Sequence, residues 1–156
     1  MSRKKVVLPK HLNDTEAIEL IYGPPDEILT EGDMRVYQRW MSDKAQDLPG
    51  VFLAAEMGLG KTGATLHALV KMLEKGIVKH VLIVAPLRVA EETWPAEIAK
   101  WAFARHLKYR VVTGNLQERL AALKIEGVQV TIINRENLRW LYNVTGTRRW
   151  PYDVLV

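Results

Sequence analysis

The chain has 156 residues, 48% of them hydrophobic and 26% charged, which is one ordinary soluble domain able to bury roughly 70% of its unfolded surface. The absence of cysteine excludes disulfides and thiolate metal sites and fits a cytoplasmic setting, while no apolar run approaches the ~20 residues that span a bilayer and Met1 to Pro9 stops too early for a secretory signal, so no membrane partner is expected. A net charge of +4 admits a polyanionic partner without requiring one.

In chain order, residues 1–30 read as a leader or accessory segment and residues 31–156 as the body. Asn13-Asp14 offers an N-cap to a short amphipathic helix over 15–22 that carries Ala17, Ile18 and Ile21, and Gly23-Pro24-Pro25 then breaks the chain. A helix is expected over 34–41. Short apolar runs then alternate with helical patterns, which means an α/β fold around a parallel sheet. The strand candidates are 51–55, 80–85, 109–113, 128–134 and 152–156, and all but the third are apolar enough to be covered on both faces.

The intervening helices carry their own start and stop signals. Over 62–75, Leu66, Leu69, Val70 and Leu73 share one side, and Gly76 stands where a C-cap belongs. Pro95 within 90–101 marks either a helix start or a kink. Trp94 and Trp101 fall seven apart on one helical face, which favours core packing over base stacking. Asn115 and Glu118 form a capping pair ahead of Leu116, Leu120 and Leu123, and Asn134 and Asn137 open a helix with Leu138 and Leu141.

Ala55-Glu56-Met57-Gly58-Leu59-Gly60-Lys61-Thr62 follows an apolar run and precedes a patterned helix, the context a Walker A phosphate loop requires. Gly58 and Gly60 permit dihedrals closed to other residues and bring amide N–H groups of Met57 to Gly60 toward a phosphate. The helix start adds unpaired N–H donors, Lys61 a full charge, and Thr62 a hydroxyl for Mg2+. The competing reading is a glycine-rich turn with an exposed lysine, which would leave the flanking pattern unexplained. Ala55 departs from the glycine that usually opens the motif.

The surroundings of the loop carry a resemblance. Met34-Arg35-Val36-Tyr37-Gln38 resembles the Q-motif of superfamily-two helicases, and Glu56 to Thr62 is very similar to the Asp-Glu-Met-Gly-Leu-Gly-Lys-Thr motif I of the Swi/Snf family. Val81-Leu82-Ile83-Val84-Ala85-Pro86-Leu87-Arg88 with Trp94 to Trp101 looks like motif Ia and its helix. Val111-Val112-Thr113-Gly114 resembles motif Ib, and Val130 to Leu138 resembles the strand and helix before motif II. The resemblance runs from about residue 34 to the C-terminus and looks closest to phage and prophage members, which implies the cytoplasm of a bacterial host. It implies a RecA-like P-loop fold, a three-layer αβα sandwich around a mostly parallel sheet. It also implies ATP and Mg2+ as ligands, Gln38 as the reader of the adenine edge, and a DNA contact through Arg88, Thr113, Gly114 and Asn134.

Trp150-Pro151-Tyr152-Asp153-Val154-Leu155-Val156 looks like the strand leading into motif II, whose Asp-Glu pair would come next. In the family those carboxylates hold magnesium and activate water, and a second lobe supplies an arginine finger, so this chain is expected to bind nucleotide at most and not to hydrolyse it efficiently. Asp153, at the strand's start, is no replacement. The fold is therefore expected to be incomplete at its C-terminus. A later strand normally lies between the phosphate-loop strand and the motif II strand; without it, those two strands pair directly or the sheet exposes edges that invite self-association. The alternative function is a non-hydrolysing accessory domain that binds nucleic acid or protein; a small-molecule phosphotransferase is disfavoured because the Q-motif would be unexplained.

Overall fold

Apolar residues two apart along three short runs build the centre of the molecule. The computed structural model describes residues 28–146 and 150–156, so the expected helix over 15–22 and the Gly23-Pro24-Pro25 break lie outside the described residues. Four strands, β1 (Val81–Ala85), β2 (Tyr109–Val112), β3 (Val130–Asn134) and β4 (Val154–Leu155), form one all-parallel sheet in the order β2-β3-β1-β4. Val81 lies opposite both Val130 and Val154, and Tyr109 opposite Val130.

Parallel neighbours need crossovers, and helices supply them. The helices are α1 (Val36–Asp47), α2 (Lys61–Glu74), α3 (Trp94–Lys100), α4 (Leu116–Leu123) and α5 (Leu138–Thr145). Val81 and Ile83 of β1 and Ile132 of β3 pack on one face with Leu66, Leu69 and Val70 of α2 and Ile98 of α3. Leu82, Val112 and Ile133 turn to the other face, against Leu141 of α5 and Leu123 of α4. The strand period of two thus feeds two cores, and the expected three-layer αβα sandwich is present. Each fully buried Leu or Ile stabilises by about 1.5–3 kcal/mol, and these side chains are shared between β1 and β3 (Leu82, Ile83, Ile132, Ile133) and the covering helices (Leu66, Leu69, Ile98, Leu141).

The local end signals act as written in the sequence. Gly76 has φ 68°, with Gly76 N–H donating to Leu73 O and Ile77 N–H to Met72 O, a Schellman ending for α2. Glu118 N–H donates to Asn115 Oδ1 at 3.0 Å while Asn115 N–H donates to Glu118 Oε2 at 2.8 Å, closing the capping box of α4. Pro95 sits in the first turn of α3, and a π-helical turn over Val89–Thr93 leads into it, so the helix ladder widens just before the proline. Trp94 and Trp101 are both buried in the core.

Two strand expectations are corrected. Residues 51–55 form no strand: Ala54 N–H turns back to Phe52 O, and Phe52 is 90% exposed. A strand needs a neighbour for its N–H and C=O groups, and among the described residues none lies beside this run. β4 is only two residues long, with Val154 half-buried and Leu155 exposed, so it is not covered on both faces, and among the described residues it forms one edge of the sheet. Of the two arrangements expected around it, direct pairing with 51–55 is not seen and the open edge is. A groove of about 830 Å³ separates them, lined by Val51, Leu53, Leu69, Met72, Leu155 and Val156 among others.

Candidate functional site

All four strands run the same way, and α2 ends shortly before β1 begins. Its first residue, Lys61, therefore stands a helix length away, at the carboxyl edge of the sheet, where ligands of open α/β folds gather. Glu56 to Gly60 form a turn in which Gly58 has φ 81° and Gly60 φ 69°, the left-handed backbone that the sequence assigned to them. Gly60 is the N-cap of α2 and offers no side-chain acceptor, so the first N–H groups of the helix face the loop without a cap. Lys61 Nζ donates to Ala55 O at 2.6 Å and Glu56 O at 2.8 Å, curling its ammonium group back over the loop. Thr62 is half-buried in the first turn, Leu59 half-buried beside it, and Met57 is 95% exposed at the tip.

Gln38 lies 22 residues from Gly60 in sequence and meets it in space. At N3 of α1, its Oε1 accepts from Arg35 N–H at 2.8 Å, and its Nε2 donates to Gly60 O at 3.3 Å. It is buried, at 7% exposure. The positive φ of Gly60 favours glycine, and a Cβ built there would also meet Gln38 Nε2, so a larger residue would push the Gln38 amide out of its present place. The next helix turn is similarly crowded: a Cβ on Gly63 would stand 2.8 Å from the Trp101 indole. That indole donates from Nε1 to Glu97 Oε2 at 2.9 Å and stacks on Phe103.

The residues expected at the DNA contact follow strand ends on this same edge. Arg88 comes just after β1, exposed, with Nε donating to Glu92 Oε2 at 3.0 Å. Thr113 and Gly114 follow β2, and Gly114 has φ 79°. Asn134 ends β3 but is buried, with Nδ2 donating to Glu136 Oε2 at 2.8 Å and Oδ1 accepting from Asn137 Nδ2 at 2.6 Å. The sheet thus brings the four to one edge, Arg88 and Gly114 exposed, Thr113 half-buried and Asn134 occupied internally. Glu136 has its carboxyl held below the usual range by its own backbone N–H and by Asn134.

Asp153 stands at the opposite edge. Its Oδ2 accepts from Lys79 N–H at 2.8 Å and His80 N–H at 2.9 Å, and these two amides, His80 first, lower its pKa. It pins β4 to the start of β1.

Sequence reading missed a polar cluster behind the loop. Ser42 of α1 bonds His67 of α2, and Glu31 faces both His67 and Lys71. The available signal was a histidine inside the apolar stripe of α2, between Leu66 and Ala68. Burial lowers the His67 pKa, more than Glu31 opposes, which favours the neutral ring; the Lys71 hydrogen bond lowers that of Glu31. Arg119 was also missed: it lies over the Trp140 ring, 4.5 Å from the centroid, and bonds Asn137 Oδ1.

Fold and loop together define an α/β chain with a Walker A sequence at the carboxyl edge of a parallel sheet. The family model for the SNF2-related domain matches residues 36–155, and the chain belongs to that family. It is 37% identical over 123 residues to protein p41 of Acyrthosiphon pisum secondary endosymbiont phage 1, covering 78% of this chain and 26% of p41. It is 36% identical over 99 residues to Probable ATP-dependent DNA helicase CHR12 of Arabidopsis thaliana, covering 60% of this chain and 9% of that protein. Among solved structures, the Sulfolobus solfataricus SWI2/SNF2 ATPase core in complex with dsDNA superposes with a TM-score of 0.62 at 23% identity, over 80% of this chain and 26% of that one, which shows a shared fold. The chain therefore spans about a quarter or less of the length of these proteins. No helix among the described residues is long and apolar enough to cross a membrane.

Proposed function

We propose that residues 31–156 are the ATP-binding lobe of a DNA-dependent ATPase, a helicase or translocase, with residues 1–30 a leader or accessory segment whose Leu29 is bonded to Lys100 and Ala102 of the body. The observation that carries this reading is the meeting of Gln38 with the phosphate loop. The Gln38 amide uses one lone pair on Arg35 N–H and one hydrogen on Gly60 O, which leaves one acceptor site and one donor hydrogen. Those two complement the N6–H donor and N7 acceptor of adenine and not the O6 and N7 acceptors of guanine.

The residues present fit a nucleoside triphosphate with Mg2+. The uncapped first turn of α2 and the amides from Met57 to Gly60 would hold the phosphates, Lys61 would exchange its two carbonyl partners for phosphate oxygens, and the Thr62 hydroxyl would ligate the metal. Magnesium, when bound, neutralises charge on the β- and γ-oxygens. Asp153, tied to two amides at the far edge, activates no water here, so the 156-residue chain alone binds nucleotide without efficient hydrolysis. Arg88, Thr113 and Gly114, on the loop's edge of the sheet, would meet a DNA backbone; Asn134 would support that edge from within and reach DNA only by releasing Glu136 and Asn137.

The test is a titration of a fluorescent ATP analogue with Mg2+ against the chain and against Lys61→Ala. The expected outcome is saturable binding weakened about tenfold or more by the substitution, an energy of about 1.4 kcal/mol or more. Equal affinity for both chains refutes the assignment.

A further inference from the structure

The burial of Gln38 depends on how α1 is set against α2, and a continuous polar chain runs through that interface. Lys75 Nζ donates to Gln46 Oε1 at 3.1 Å, and Gln46 Nε2 donates to Ser42 Oγ at 3.3 Å. Ser42 Oγ and His67 Nδ1 are 2.8 Å apart. His67 Nε2 then faces Glu31 Oε1 at 3.3 Å, and Glu31 Oε2 pairs with Lys71 Nζ at 3.3 Å. The chain starts on Lys75, the C-cap of α2, ends on Lys71 within α2, and passes through α1 between them.

Its centre is closed to solvent, with Ser42 at 0% and His67 at 5% exposure. Nε2 makes no hydrogen bond of its own, but the Glu31 carboxylate 3.3 Å away favours the tautomer with the ring hydrogen on Nε2, in which Nδ1 accepts from the Ser42 hydroxyl. Phe103 presses edge-on against the imidazole, its centroid 5.1 Å away, which limits the ring's freedom to turn. Ser42 stands one helical turn beyond Gln38, on the same side of α1. The pairs Gln38 with Gly60, Ser42 with His67 and Gln46 with Lys75 advance together along both helices.

Apolar contacts allow one helix to roll or slide on another at small cost, whereas a buried hydrogen bond loses its partner when either moves, so it fixes register. We infer that His67, acting through Ser42, is a positioning residue that sets α1 against the phosphate-loop helix so that the Gln38 amide meets Gly60 and discriminates adenine from other bases. The inference rests on the nucleotide-binding reading above and deepens it. A cluster serving stability alone would lower affinity for every ligand of the loop alike. A positioning cluster acts on base selectivity and leaves phosphate binding in place.

The experiment measures affinities for ATP, GTP and inorganic tripolyphosphate, each with Mg2+, on the full chain and on Ser42→Ala, His67→Leu and His67→Asn. Far-UV circular dichroism and urea midpoints identify which variants are folded. In folded Ser42→Ala and His67→Leu the ATP-to-GTP affinity ratio should fall about fivefold or more, with tripolyphosphate affinity within about twofold of the parent. His67→Asn, which keeps an acceptor near the Nδ1 position, should recover part of the ratio. An unchanged ratio in any folded variant that lacks the acceptor or the hydroxyl overturns the inference, as does a parallel loss for all three ligands. A parent chain with no Lys61-dependent ATP binding refutes the underlying reading and takes this one with it.

Discussion

At the scale of single residues, glycine decides how closely the elements around the loop approach. Gly60 and Gly63 lie three residues apart at one helix start, yet each faces a different neighbour, Gln38 for the first and Trp101 for the second. Gly63 has an ordinary helical backbone, so its requirement is steric alone. Gly63→Ala should therefore destabilise the chain by about 1–3 kcal/mol, because a Cβ 2.8 Å from a buried indole forces that ring or the helix to move. Urea unfolding of the variant checks this, and a midpoint at or above the parent's would show that Trp101 yields freely. The loop itself was legible in the sequence because its glycines, Lys61 and Thr62 act within a few residues of one another. The fit of Gly63 to Trp101 was not, because the partner comes 38 residues later and its depth depends on the packing of α3.

At the scale of elements, helix ends were read correctly where their signals are local. Asn115 and Glu118 cap α4, and Gly76 ends α2, through bonds that span only a few residues. Strand existence is a non-local property, and there the reading was weaker. Among the described residues, 51–55 have strand composition but no ladder, and β4 is paired with β1 alone. Val156 N–H bonds Leu82 O and Val156 O accepts from Val84 N–H, so the parallel ladder turns the N–H and C=O of Leu155 to the open side. With Leu155 67% and Val51 42% exposed along the same groove, this edge is a template for another strand. The 156-residue chain should self-associate as its concentration rises, and Leu155→Pro, which removes the outward N–H, should reduce that association. Static light scattering from micromolar to hundreds of micromolar is the check; a constant monomer mass across that range rules the edge out as a contact.

At the scale of the whole molecule, the titrating groups act in one direction. Burial lowers the His67 pKa, and the charged groups facing it are Glu31, Lys71 and Asp43, the first and last opposing the shift and Lys71 adding to it. Glu31 is lowered by Lys71, Asp33 by the Thr30 backbone, Glu136 by its own backbone N–H, and Asp153 by the amides of His80 and Lys79. In every case the folded state binds fewer protons than the unfolded one over some pH range, so stability rises with pH through that range. The His67 contribution is present above the ordinary imidazole pKa of about 6.5 and is lost as pH falls through the lower folded value; the carboxylate contributions are present above about 4 and are lost below it. The urea midpoint should therefore decline in two stages on acidification. His67→Leu should flatten the first stage, and Asp153→Ala should flatten the second while lowering stability at pH 7, since Asp153 joins β4 to the start of β1. A first stage that survives His67→Leu unchanged would place the neutral-range titration elsewhere. Neither stage could be read from the sequence, because Ser42 and His67, or Asp153 and His80, become neighbours only when the parallel sheet and its covering helices have assembled.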